Sequence, residues 1–428
     1  MRLFAREAYL PGGWAPDVAI DVAPDGTIAR VDAGARADAA DLMVEGPVLP
    51  GMPNVHSHAF QRAMAGRAER RTRDDDDFWS WREAMVALAA TLDPDGLRAI
   101  ALETYRAMLR AGYTRVAEFH YLHRDPDGRW YGDRAAMARA LVDAAREAGI
   151  AICLLPALYA HGEAGGAPLD HARRRFASEP DDVLAIGADL RRAYADDREV
   201  TIGACAHSLR AVTPDELRAL VDGAPPGVPM HLHAAEQLRE VDAVQAALGA
   251  RPVAWLLANH AIGPRWCLVH ATHLDESERD ALALSGATAG LCPTTEANLG
   301  DGVFPLAPYL AAGGSIGIGS DSNVSISITE ELRWLEYGQR LVHRRRVVAA
   351  PPGASTGETL LSRALAGGAL ACGARAGAIE AGARADLVVL DGAFAGRPED
   401  RIDRWIFASD APAVRATAVG GRWVFGDP

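Results

Sequence analysis

The sequence predicts a (β/α)8 TIM barrel joined to a small β-sandwich domain that the N- and C-terminal segments build together. Three observations support this. From about residue 48 to about residue 325, eight short β-rich segments alternate with amphipathic helical stretches, the pattern of βα units around a parallel sheet. The repeat spans roughly 270 residues, close to the usual barrel size of about 250. The flanks differ, carrying short alternating segments with turns such as VAIDVAPDGTIARVDAG and RADLVVLDG. Residues 1–47 and 376–428 are therefore assigned to the composite sandwich, and residues 48–375 to the barrel.

The first barrel strand is read in PVLPGMPNVHSH, where His56 and His58 share one face, about 6 to 7 Å apart along the strand. Two imidazoles so placed can share one metal ion, or they can be surface histidines near a turn; the pair alone leaves both open. TRVAEFHYL is second, with Glu118 and Tyr121 at its end. IAICLLPALYA is third, and VTIGACAHSL is fourth, ending at His207. After it, VTPDEL supplies a capping threonine, Thr213, a first-turn proline, Pro214, and a capping-box glutamate, Glu216, where the next helix should start. VPMHLHAAE brings His231, His233 and Glu236 to the end of the fifth strand, and WCLVHATHL brings His270 and His273 to the sixth. ATAGLCPTTE and SIGIGSDSN complete the set, the last carrying Asp321. Between strands, PDGLRAIALETYRAMLRAGY and DRAAMARALVDAAREAGI space their apolar residues for helices.

Composition narrows the function. A formal charge of −13 with no basic block makes nucleic acid an unsuitable partner, and an acidic substrate would need a locally basic pocket. No apolar run is long enough to cross a bilayer and the start lacks a signal-peptide stretch, so no membrane association and a cytoplasmic location are expected. Five scattered cysteines without a CxxC pair read as reduced core residues. The chain contains no lysine, so all 44 of its Lys and Arg residues are arginine. Schiff-base chemistry, a P-loop lysine and a carboxylated-lysine metal bridge are thereby excluded.

Catalytic groups of such barrels sit at the C-terminal ends of the strands. Imidazole and carboxylate gathered on that rim suit zinc or a similar divalent ion. The metal ligands are assigned as His56, His58, His233 and Asp321, leaving a position for water. His231 shares a face with His233, and His233 is preferred because it lies nearer the strand end, three residues before Glu236. Glu236 would move protons at the metal's water without ligating, and His270 would orient that water from the far side. Zinc lowers the pKa of its water to about 7.

PGMPNVHSHAFQRAMAG, HLHAAEQ and GIGSDSN together resemble the amidohydrolase superfamily, and the resemblance covers the whole chain, ARADLVVLD included. The first stretch, with FHYLH at 119–123 and HSLRAV at 207–212, is similar in particular to the formimidoylglutamate deiminases. Ala206, where proline is expected, and Val55 depart from that pattern. The resemblance implies one Zn2+ per chain, a homodimer, and hydrolysis of the C=N bond of N-formimino-L-glutamate to N-formyl-L-glutamate and ammonia in histidine degradation. It makes Gln61, Arg82, Tyr121, His207 and Arg210 the contacts to a small dicarboxylate substrate. Asp321 would accept the water's proton and Glu236 would protonate the leaving nitrogen. RAERRTRDDDDFWSWREAM becomes a long loop that carries Arg82 over the pocket, its four aspartates a solvated turn, and Trp79 and Trp81 packing residues. The competing readings are a deaminase of the same superfamily acting on a purine or pyrimidine ring, and a barrel that binds metal without catalysis. A second metal bridged by Glu118 is the less favoured arrangement.

Overall fold

A computed structural model describes residues 1–71, 74, 76–409 and 413–428, with Ala39 described by its backbone only. All eight expected barrel strands are present and parallel. They run Met52–Ser57, Tyr113–His120, Ala151–Leu158, Ala204–Ser208, Met230–Ala234, Trp266–His270, Thr288–Leu291 and Ser315–Ile318, each hydrogen-bonded to the next in chain order. A short strand, Val200–Ile202, precedes the fourth and pairs with the third. The ring closes where Ser57 bridges Asp321 in parallel between the first and last strands. The strand register slips between Cys205 and Ser208 in the pairing with the fifth strand, the stretch that holds Ala206.

Local sequence sets the helix ends as expected. Thr213 caps Pro214–Gly223: its Oγ1 accepts from Glu216 N at 3.4 Å while Glu216 Oε2 accepts from Thr213 N at 2.7 Å, satisfying donors that the helix start leaves open. The run of aspartates has a similar use, since Asp77 Oδ1 accepts from Trp79 N and Ser80 N at 2.9 and 3.1 Å and begins the helix Phe78–Ala89. Asp75, in the middle of that run, lies outside the described residues.

The two chain ends meet in one continuous sheet of eight strands rather than two separately bonded layers. It encloses its own core, including Leu3, Ile20, Ile28, Leu387 and Val389. The segment read as a single first barrel strand is divided. Val48–Pro50 pairs with the terminal sheet, and only Met52–Ser57 enters the barrel. Thr417 Oγ1 donates to Leu109 O at 2.8 Å, Gly51 N donates to Asp386 O at 2.8 Å, and Arg384 pairs with Glu199, so the sheet is bonded to the barrel wall. All five cysteines are buried and free of disulfides. Among the described residues no helix is long and apolar enough to cross a membrane.

Close approach of the last strand to the first needs residues without side chains. A Cβ placed on Gly319 would lie 2.9 Å from His56 Cβ, N and O. Gly319→Ala should therefore strain the barrel seam and lower stability by about 1–3 kcal/mol, measured by denaturant unfolding; an unchanged midpoint would show that the seam is looser than its packing indicates.

Candidate metal and substrate site

The first strand carries His56 and His58 to the rim, the fifth carries His233, and the loop after the eighth carries Asp321. His58 Nδ1–H donates to Phe119 O at 2.8 Å, and His233 Nδ1–H donates to His207 O at 2.7 Å. Only a protonated nitrogen can bond a carbonyl, so each ring turns an unprotonated Nε2 inward. There His233 Nε2 lies 3.0 Å from His56 Nε2, and Asp321 Oδ1 lies 3.4 Å from His56 Nε2 and 3.6 Å from His58 Nε2. Ligands about 2.0–2.1 Å from a tetrahedral zinc sit roughly 3.3 Å from one another. The observed spacings fall around that value. Burial, reinforced by neighbouring histidines, holds His56 and His233 well below the ordinary imidazole range, and burial lowers His58. All three therefore favour the neutral form that binds a cation. Of the two histidines on the fifth strand, His231 is engaged elsewhere, with Nε2 on Ala371 O at 2.8 Å.

Asp321 has φ +44°, and His270 and Ala271 have φ +67° and +49°, conformations that cost about 1–3 kcal/mol each unless the surroundings impose them. The surroundings here are specific. Asp321 N donates to His56 O, and its own carbonyl accepts from His58 N and from Asn323 Nδ2, each at 2.9 Å. Asn323 Nδ2 also reaches Ser57 Oγ and His58 O, while Ser320 Oγ accepts from Asn54 Nδ2 and donates to Asn323 Oδ1, both at 2.7 Å. Asn54, Ser320 and Asn323 lie within the quoted motifs, yet nothing in the pattern set them apart from loop polar residues.

His270 faces the same centre. Its Nε2 is 3.6 Å from Glu236 Oε1 and 3.8 Å from Asp321 Oδ2, and its Nδ1 is 3.2 Å from Glu296 Oε1. Burial opposes a charge on this ring, but Glu236, the hydrogen bond to Glu296 and Asp321 outweigh it and push the pKa up to about 10.

Beyond these groups opens a cavity. Every residue expected at the site from sequence lines it except His56, which lies buried beneath. Arg210 is 5% exposed, with Nη2 3.2 Å from Glu236 Oε2 and Nε 3.9 Å from Glu240 Oε2. Burial disfavours its charge, yet Glu240 and Glu236 more than compensate and raise its pKa. Arg82 Nη2 donates to Tyr159 OH at 2.8 Å, and Gln61 Nε2 donates to Tyr121 OH at 3.1 Å. His207 lies 4.5 Å from the Tyr159 ring, centroid to centroid.

Some placements differ from expectation. Trp81 lines the cavity, whereas Trp79 lies behind it, its ring facing the guanidinium groups of Arg239, Arg82 and Arg210 at 4.2, 5.4 and 5.6 Å. His273 bonds Asp301 O at 2.9 Å and does not line the cavity. Glu118 accepts from Ala59 N at 2.7 Å and is pushed up to about 8 by burial. It belongs to none of the groups that could hold a metal among the described residues. Tyr159, Phe78, Met85 and Leu299 also line the cavity. Tyr159 directly follows the third strand, so the strand-end rule could have found it; a tyrosine is simply not a ligand type.

Comparison with known proteins agrees with this geometry. The Amidohydrolase family matches residues 48–424, and the family described as "Formimidoylglutamate deiminase HutF, N-terminal domain" matches residues 1–43. A formimidoylglutamate deiminase from Pseudomonas aeruginosa is 49% identical over 99% of this chain and 94% of its own length. A 5-methylthioadenosine/S-adenosylhomocysteine deaminase from Natronomonas pharaonis is 29% identical over 89% of this chain and 81% of its own. The crystal structure of an amidohydrolase from Brucella melitensis superposes with a TM-score of 0.95 at 45% identity, covering 99% of this chain and 94% of that one. With its barrel, its rim of histidines and aspartate and its matching N-terminal segment, the chain belongs to the amidohydrolase family, in the group of the formimidoylglutamate deiminases.

Proposed function

We propose that this protein hydrolyses N-formimino-L-glutamate to N-formyl-L-glutamate and ammonia, a step of histidine degradation, with one zinc ion per chain held by His56, His58, His233 and Asp321. The observation that carries the substrate is the pair Arg82 and Arg210, which face one cavity beside the metal-competent cluster in a chain of net charge −13. Fixed guanidinium forks at such a site suit carboxylates. The name of the Pseudomonas relative agrees with that chemistry.

Three neutral imidazoles and a carboxylate suit zinc as donors. When bound, such a cation supplies Lewis acidity, lowering the pKa of a coordinated water to about 7. The chain's own groups do the rest. Asp321 accepts a proton from the water that adds to the formimino carbon. Glu236, at 3.6 Å from His270, relays that proton and then the adduct's O–H proton to the nitrogen, so that the C–N bond breaks, the C=O bond forms and ammonia leaves with both protons of the water. His270 orients the water, and His207 holds the formimino group. Gln61 and Tyr121, already bonded to each other, offer further polar contacts.

The protein would work in the cytoplasm as a homodimer. Trp334, Leu341 and Val342 are exposed on the helix Ile328–His343 beside Val303, an apolar face suited to a second copy. A ring-directed deaminase is the second reading, favoured by Phe78 and Trp81 in the cavity wall and by the name of the Natronomonas relative.

Ammonia release from formimino-glutamate, set against guanine, adenosine and cytosine, separates the two readings. Only the first compound should turn over, and chelation should abolish the activity until zinc is returned. Full activity in the demetallated protein would sink the mechanism. Glu236→Gln preserves shape and removes a proton carrier, so it should keep its metal and lose about 10²- to 10⁴-fold in kcat; loss of metal instead would make Glu236 a ligand. Arg82→Met and Arg210→Met should each cost about ten- to a hundredfold in kcat/KM on formimino-glutamate. Formimino-glycine, which has a single carboxylate, should lose much less with at least one of them. Equal losses on both compounds for both variants would remove the case for a dicarboxylate.

A further inference from the structure

Strand three ends at Leu158, and the next residue, Tyr159, enters the cavity wall. The mechanism above gives it no part. Its ring is buried between Phe176 at 5.4 Å and His207 at 4.5 Å. Its backbone is fixed from both directions, because Tyr159 N donates to Ser178 Oγ at 3.0 Å and Ser178 N donates to Tyr159 O at 3.1 Å. The hydroxyl is therefore placed by the scaffold. It accepts from Arg82 Nη2 at 2.8 Å.

Arg82 needs such a partner. It sits on the helix Phe78–Ala89, where its guanidinium faces the Trp79 ring at 5.4 Å and shares a surface pocket with Asp170, but the hydrogen bond that gives it a direction is the one to Tyr159. A long cation fixed only by its ligand must lose rotamer freedom on binding, which weakens affinity. A neutral hydroxyl fixes the guanidinium without neutralising it. One donor is occupied, and the remaining donors of the planar fork stay available to a carboxylate. Arg210 differs, being held by Glu236 and Glu240, which balance its charge.

We propose that Tyr159 is a positioning residue for substrate specificity, whose hydroxyl holds Arg82 in the orientation that receives one carboxylate of a dicarboxylate substrate. The inference rests on the substrate role given to Arg82 above.

A double-mutant cycle of Tyr159→Phe and Arg82→Met on the metal-loaded enzyme tests it. Tyr159→Phe keeps the ring and removes the hydroxyl. KM for formimino-glutamate should rise about tenfold, with a much smaller change in kcat and little change in KM for any single-carboxylate analogue that does not use Arg82. Added to Arg82→Met, the same substitution should cost less than about twofold more. Losses that multiply in the double variant, or a fall in kcat alike on both compounds, would overturn the proposal. Metal content and unfolding temperature check the fold. Ser178→Ala offers a second route, since it removes one of the two bonds that fix the Tyr159 backbone and leaves the tyrosine hydroxyl itself unaltered. It should raise KM with the same substrate preference, and an equal effect on both compounds would count against the proposal. If the unaltered enzyme does not turn over formimino-glutamate, the functional reading has failed; the cycle is then read from binding of glutarate against butyrate, where additive losses still overturn the role of Tyr159.

Discussion

The site depends on how the barrel closes between its first and last strands. Ser57 and Asp321 form the bridge, and on either side of it lie the two histidines of the first strand and the carboxylate of the last. The closure is a local exchange of backbone bonds, Asp321 N to His56 O and His58 N to Asp321 O. It is held by the buried amides of Asn54 and Asn323 through Ser320. Buried amides are costly when unsatisfied and directional when paired. The seam can therefore hold Asp321 in a backbone conformation it would not choose alone, and glycine at position 319 lets the strands come close enough for this.

A second constraint is the placement of charge away from water. The cavity and its immediate wall gather Glu236, Asp321, Glu240 and Glu296 against Arg82, Arg210 and His270. An isolated charge of either sign would be expelled or neutralised there. Distribution resolves the conflict. Arg210 is shared by two glutamates, His270 by Glu236, Asp321 and Glu296, while Arg82 is met by a hydroxyl. The histidines nearest the centre are instead held neutral by burial. One rim thus keeps neutral nitrogen donors beside paired carboxylates and guanidinium groups.

The sequence by itself determined the barrel, because strand and helix periodicities differ and eight repeats of both fit few other architectures. It also determined the rim, since residues at strand ends in this fold share one face, which placed His56, His58, His233, His270 and Asp321 together before any coordinates. Capping chemistry made the Thr213 helix start legible, as the hydrogen bonds involved span only three residues.

Only the tertiary structure decided matters set by distant partners. Val48–Pro50 is as apolar as the strand that follows, and it joins the terminal sheet because Leu387 to Val389 are there to pair with it. His231 and His233 share a face, position along the strand favours His233, and only the fold brings Ala371, far along the chain, to engage His231. Glu118 carries a ligand-type side chain but answers the amide of Ala59. Trp81 reaches the cavity from a helix through packing that no spacing rule encodes. Periodicity and strand-end position are properties of a short stretch of chain and can be read from it; the direction in which a side chain finally points is fixed by the nearest donor, acceptor or ring, and in a barrel that neighbour usually comes from a different strand.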